Sequence, residues 1–239
     1  MVDLKNLKIE NALRWNNAKL TRNFSGVAKR LVDPAAKQRY KNVSSQTGVP
    51  WAIIAVIHER EASQDWNTQL GQGDPLNRVS THIPRGRGPF ASWEDGAFDA
   101  LVNCAPYAAR WTDWTYGGAM TLLEQYNGLG YATHGVPSPY VWAGTDQYKS
   151  GKFVRDHMYD PNVIDAQLGC AGLLKTMMQL DATISFGKDM PTVQLPVTPV
   201  AVQTPVAPPQ EPANNSSYAA TIVSRLKSLR QKFLSFWNF

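Results

Sequence analysis

A nearly unbroken apolar stretch that ends abruptly in charge, WAIIAVIHEREASQDWN from Trp51 to Asn67, constrains this chain more than any other. Thr47, Gly48 and Pro50 ahead of it are helix-start signals, and Ile53, Ile54, Val56 and Ile57 follow as a run too continuous for a surface helix. The expectation is a core helix that carries two carboxylates to its C-terminal end. Glu61 lies four residues after Ile57 and eight after Ile53, so it extends the row that those isoleucines turn inward, whereas Glu59 points to another side. A carboxyl group at the end of a buried row is partly desolvated. That raises its pKa and lets it hold a proton near neutral pH, as a general acid must. The same residues also fit an ordinary solvated helix terminus, so the rest of the chain has to decide.

The chain has 239 residues, 43% of them hydrophobic, which is enough for one sizeable domain with a core plus an extra segment. Its net charge is +5, but four cations, Arg225, Lys227, Arg230 and Lys232, fall after residue 217 with no acid among them. The body is therefore close to neutral, and no nucleic-acid partner is expected. Two cysteines, Cys104 and Cys170, make neither a disulfide framework nor a metal cluster, and both are expected as small core residues. The charged N-terminus, MVDLKNLKIENALRW, has no apolar run of signal-peptide length, and no stretch of about 18 apolar residues occurs. A protein made in the cytoplasm without a signal peptide is expected, and a monomer.

Up to about residue 47 the apolar spacing of Leu13, Leu20, Val27 and Leu31, with Pro34 after Asp33, predicts two or three short packing helices. After the organising helix, the segment 69–90 is rich in Gly, Pro, Asn and Asp. It reads as a loop or hairpin lobe in which Arg78 to Ile83 pair as small strands. Ser92 with Asp95 is a capping-box-like start for a helix through Phe98, Leu101 and Val102. A second amphipathic segment, GGAMTLLEQYNGLGY, breaks after Tyr126 and Asn127; SPYVWAGTDQY reads as an aromatic loop, and VIDAQLGCAGLLKTMMQL as a closing apolar helix. The expected architecture is mainly α: a helical domain over 1–186 with a small β-hairpin or loop lobe. A Pro-rich linker over 187–217 and a basic amphipathic helix over 218–239 follow it.

The order of these elements resembles the lysozyme superfamily of peptidoglycan hydrolases, of the kind found in bacteriophage lysis proteins, over roughly residues 25 to 181. Ile53 to Ser63 is similar to the catalytic helix of goose-type lysozymes and lytic transglycosylases, where an apolar run ends in Arg-Glu-Ser; here the order is Arg60-Glu61-Ala62-Ser63. The resemblance implies an α+β lysozyme-like fold with Glu61 as the acid. Gly71-Gln72-Gly73-Asp74 resembles the goose-type Gly-x-Gly-Asp segment, which implies that Asp74 helps hold the attacking water, with Asp65 and Glu94 as reserves. Gln125-Tyr126-Asn127-Gly128 resembles the Ala-Tyr-Asn-Ala-Gly motif that lines the sugar cleft, although its flanking alanines are absent, and carries over Tyr126 and Asn127 as substrate contacts. The Gly-Leu-Met-Gln motif of those families is missing. A competing alignment matches His58-Glu59 and Gly86-Arg87-Gly88-Pro89 to family 19 chitinases and endolysins, which makes Glu59 the acid.

The activity this implies is cleavage of the β-1,4 bond between N-acetylmuramic acid and N-acetylglucosamine in bacterial peptidoglycan, in the periplasm after release, with no metal or cofactor. Attack on the anomeric carbon comes either from water, giving hydrolysis, or from the sugar's own 6-hydroxyl, giving an anhydro product. Tyr140, Trp142 and Tyr148 either stack on sugar rings or anchor a glycine-rich loop from the core. His58, His82, His134 and His157 lack the i, i+4 pairing of a zinc peptidase. The basic C-terminal helix fits packing, a partner, or an anionic surface such as phospholipid or lipopolysaccharide, and the last is the expectation. A peptidoglycan-binding module without the chemistry is the non-enzymatic alternative.

Overall fold

The protein's structure, a computed structural model, describes residues 2–71, 73–155 and 158–189. The expected Pro-rich linker from 190 onward and the basic helix at 218–239 lie outside the described residues, as do Gln72 and His157. Among the described residues the fold is mainly helical, with one small antiparallel pair of strands. No described helix is long and apolar enough to cross a membrane.

The N-terminal third forms three helices, as the apolar spacing predicts: α1 (Leu4–Asn17), α2 (Ser25–Leu31) and α3 (Pro34–Thr47). Asp3 and Asp33 cap α1 and α3 by accepting from the free N–H groups of the first turn, and Pro34 needs no partner at its first position. Gly48, at φ +73°, ends α3 in the left-handed conformation that glycine tolerates. The organising helix is α4 (Trp51–Ala62), in which every residue from Ala52 to His58 is buried. It packs against α2, α3 and a later helix, α9 (Cys170–Leu180), so the core forms around it.

Between α4 and the next helix the described residues form no strand, only an isolated antiparallel bridge between Thr68 and Pro75. This corrects the expectation for Arg78 to Ile83, and the physical reason is local. The Asp74 carboxylate accepts from the backbone N–H of Thr81 and of His82 at 2.9 and 3.0 Å, so those donors are spent within the loop. Pro84 and Pro89 have no N–H to give to a ladder. The residue Gly88 sits at φ +80°, where an added Cβ would stand 3.0 Å from the Arg78 carbonyl oxygen.

Ser92 caps α5 (Trp93–Val102) by accepting from Asp95 N at 3.1 Å, as its spacing predicts. A 3₁₀ turn at Ala108–Arg110 leads to α6 (Tyr116–Tyr126), which packs along α1 and stops at Asn127 before Gly128 at φ +85°. Two short turns follow, α7 (Gly130–Thr133) and α8 (Pro139–Trp142), so the aromatic segment opens with a short buried helical turn and continues as a loop from Ala143 to Tyr148.

The only described sheet pairs β1 (Lys152–Arg155) with β2 (Met158–Asp160). Gly151, at φ +104°, must be glycine because any Cβ would run into the Tyr159 ring. The closing helix α9 begins at Cys170 rather than at Val163. The preceding segment takes no regular helix or strand, and Asp165 within it is engaged by Arg60 and Lys152. Cys104 and Cys170 are both buried and free. Residues 187–189 remain docked on α6, with Gly117 N donating to Asp189 Oδ2 at 2.9 Å, so the domain continues past 186.

Candidate active site

The end of α4 opens into a cleft of about 500 Å³. Arg60 and Glu61 form its floor, Pro139 and Tyr140 of α8 close one side, and Asn127 with Gly130 and Tyr131 close another. All of β1, Lys152 to Arg155, lines it as well, together with Asp165 and Gln167.

Glu61 is partly buried, and its Oε1 accepts from the Tyr140 hydroxyl at 2.9 Å. Burial raises its pKa to about 7, against the smaller lowering effects of the Tyr140 hydrogen bond and the Arg60 charge. Tyr140 is itself only 3% exposed, so the donor cannot turn away into solvent. The charge on Glu61 also contributes to raising the pKa of the Tyr126 phenol, after burial as the main cause, but Tyr126, expected as a substrate contact, does not line the cleft; its neighbour Asn127 does.

Arg60 holds this floor in place. Its Nη2 donates to Asp165 Oδ2 at 2.9 Å, its Nη1 to the Leu168 carbonyl at 3.3 Å, and its guanidinium lies over the Tyr140 ring at 4.8 Å. Asp165 accepts in addition from Lys152 Nζ at 2.9 Å. Burial pushes the Asp165 carboxyl up, but Lys152 and Arg60 outweigh it and leave its pKa lowered. Two carboxyl groups near one cleft are thus driven apart, Glu61 toward the protonated form and Asp165 toward the ionised one.

The hairpin is fixed to the rest by Tyr131, whose hydroxyl accepts from Phe153 N at 3.0 Å. The absence of a side chain at Gly130 lets the Phe153 ring approach, since a Cβ there would meet it at 3.1 Å. None of Lys152, Phe153, Arg155 or Asp165 is legible as a site residue in the sequence; the one local hint is Gly151 ahead of an aromatic and β-branched run.

The other expected site residues fall elsewhere. Glu59 does not line the cleft; burial raises its pKa, and Arg30 binds it at 2.9 Å on the far side of α4. His58 is fully buried against Tyr40, Trp66 and Trp93 and is no substrate contact. Its Nε2 must donate to the Asp65 carbonyl (3.0 Å), which leaves Nδ1 to accept from the Tyr40 hydroxyl (3.0 Å). This satisfied neutral ring has its pKa lowered to about 4, chiefly by burial. The side chain of Trp142 is fully enclosed in the core and offers no surface to a sugar. Tyr148 is also core, donating to the Gly151 carbonyl at 3.1 Å and anchoring the hairpin.

Asp74 lies in the loop beside the end of α4, where a Cβ on Gly73 would meet the Glu61 carbonyl at 3.3 Å. Its carboxylate turns back into its own loop, however, and accepts from Thr81, from His82 N and from His82 Nδ1 at 2.9 Å. Asp65 accepts from Asn67, and Glu94 takes a two-pronged bond from Arg39 at 2.6 and 2.9 Å. Among the described residues no group of three or more His, Cys, Asp or Glu is arranged to hold a metal ion. Comparisons with protein-family models, with curated proteins and with solved structures found no match for this chain.

Proposed function

We propose that this chain cleaves the β-1,4 bond between N-acetylmuramic acid and N-acetylglucosamine in bacterial peptidoglycan, with Glu61 as the general acid. The observation that carries the reading is the Glu61 carboxyl itself, in a cleft, held by Tyr140 and raised to about 7. A carboxylic acid with that pKa keeps its proton at neutral pH yet surrenders it to a departing sugar oxygen. As the glycosidic C–O bond breaks, the proton passes from Glu61 to the leaving oxygen and positive charge develops on the anomeric carbon. Asn127 and the Phe153 ring line the same cleft and supply a polar and an apolar contact for the sugar.

For the second half of the reaction one observation favours the anhydro product over hydrolysis. Among the described residues the cleft's other carboxylate, Asp165, has both oxygens engaged by Arg60 and Lys152 and is 1% exposed. It is poorly suited to activate water. In the second reading the sugar's own 6-hydroxyl attacks the anomeric carbon and returns its proton to the Glu61 carboxylate, which acts first as acid and then as base.

Mass spectrometry of the soluble products from purified peptidoglycan tests both readings. Fragments with reducing muramic ends support a hydrolase and anhydro-muramic ends a transglycosylase. Intact glycan strands after prolonged incubation would reject the enzymatic reading.

A further inference from the structure

The cleft wall is unevenly charged. With Glu61 protonated, three cationic side chains, Arg60, Lys152 and Arg155, face a single carboxylate, Asp165. That carboxylate is shared by Arg60 and Lys152, each at 2.9 Å. Arg155 is left over. It lines the cleft, it is exposed, and its guanidinium has no hydrogen bond, ion pair or ring contact among the described residues.

The strand geometry explains how it reaches the cleft. In a regular strand Lys152 and Arg155 would fall on opposite faces. The register here pairs Lys152 with Asp160, Phe153 with Tyr159 and then Arg155 with Met158, so Val154 is an extra residue in a bulge. A bulge shifts the alternation by one and re-aims the side chain that follows it. Lys152 and Arg155 therefore both border the cleft, one neutralised by Asp165 and the other without a partner among the described residues.

We infer that Arg155 binds a carboxylate carried on the glycan beside the bond to be cut, making the cleft selective for acidic muramoyl strands over neutral amino-sugar polymers. This rests on the glycosidase reading above. A guanidinium offers two parallel donors to a carboxylate, and a surplus of positive charge draws an anionic strand into the cleft. The carboxylate has two sources: the free lactyl ether acid of muramic acid, or an acid of the stem peptide where that ether is amidated.

The test uses the full chain carrying Glu61→Gln, so that binding is measured without cleavage, with and without Arg155→Gln. Three probes are titrated calorimetrically: peptide-bearing glycan strands, strands stripped of peptide by an amidase, and neutral chitin oligosaccharides. Arg155→Gln should weaken muramoyl strands about five- to tenfold and chitin oligosaccharides less than about twofold, as the loss of one charged hydrogen-bonding pair requires. Loss on stripped and peptide-bearing strands alike assigns the lactyl acid; loss on peptide-bearing strands alone assigns the stem peptide. Arg155→Lys, which keeps the charge but not the paired donors, should recover only part of the affinity lost in Arg155→Gln.

Equal weakening on all three probes, or none on either muramoyl strand, overturns the inference. If the wild-type chain cleaves peptidoglycan in that case, the glycosidase reading survives alone. If it cleaves nothing and Glu61→Gln binds no glycan, both fail.

Discussion

The hydroxyl of Tyr140 donates to Glu61 Oε1 at 2.9 Å, across 79 residues of sequence. That bond favours the ionised carboxylate and so opposes the burial that pushes its pKa up. Tyr140→Phe keeps the ring over Arg60 and removes only this opposition. The Glu61 pKa should rise further, and the alkaline limb of the pH–rate profile on peptidoglycan should move to higher pH. A limb that stays in place would show that Tyr140 does not tune this carboxyl.

Only one of the two glutamates at the end of α4 faces the cleft, which separates their expected phenotypes. Glu61→Gln should lower turnover by about 10² to 10⁴ fold, the usual worth of a general acid. Glu59→Gln removes a partner of Arg30, half of whose side chain is exposed, and should leave turnover within a few-fold of wild type. Release of soluble muropeptides by each variant is the measurement. A larger loss for Glu59→Gln would transfer the acid role to the chitinase-like alignment.

Glu61 is legible in the sequence because helical period is a local property, and the isoleucines that define the inward row lie within two turns of it. The same holds for the caps at Asp33, Ser92 and Asn127, each set by residues two to four positions away. Asp165 is not legible, because its partner Arg60 is 105 residues distant and no periodicity relates them. Trp142 shows a different limit. Aromatic density marks a place where large rings gather, but whether a ring faces solvent or core depends on which helices close over it. The absence of strands from Arg78 to Ile83, where the loop alternative holds, has a third cause. Two turn-rich stretches have similar strand signals, and the decision between them is made by one side chain, Asp74, that consumes the donors a ladder would need.

Buried groups near the end of α4 make stability depend on pH in opposite senses. Glu61 has its pKa raised from 4.5 to about 7, so between those values the folded chain holds a proton that the unfolded chain has released. Stability from this group therefore falls as pH rises through that window. His58, lowered from 6.5 to about 4, acts the other way: its contribution is lost as pH falls from 6.5 toward 4. Glu124, buried in α6 and also raised to about 7, adds to the first trend. The wild-type chain should lose stability between pH 5 and about 8. Glu61→Gln should be more stable than wild type by about 1–2 kcal/mol at the upper pH and by little at the lower. A tenfold change in proton affinity is worth about 1.4 kcal/mol, and partial exposure of the carboxyl to water reduces the total. Chemical denaturation at the two pH values gives the comparison, and a variant no more stable at high pH would contradict the raised pKa.

The pair beneath the cleft makes an asymmetric prediction. The side chains of Arg60 and Asp165 are 6% and 1% exposed, so each is a charge that water cannot reach if its partner is removed. Asp165→Asn leaves both Arg60 and Lys152 without their anion. Lys152, at 36% exposure, relaxes into solvent, but Arg60 is left as an uncompensated buried charge. Loss of one partner from such a pair costs about 3–5 kcal/mol, which should appear as a fall in Tm. Arg60→Met removes the opposite partner, yet Asp165 then keeps Lys152 at 2.9 Å and is never left alone. Its cost should be clearly smaller, although the aliphatic replacement also gives up the bond to the Leu168 carbonyl at 3.3 Å. Thermal unfolding of the two variants at pH 7 decides the matter. Equal losses would mean that Lys152 does not support Asp165 and that the hairpin wall is not electrostatically tied to the floor that carries Glu61.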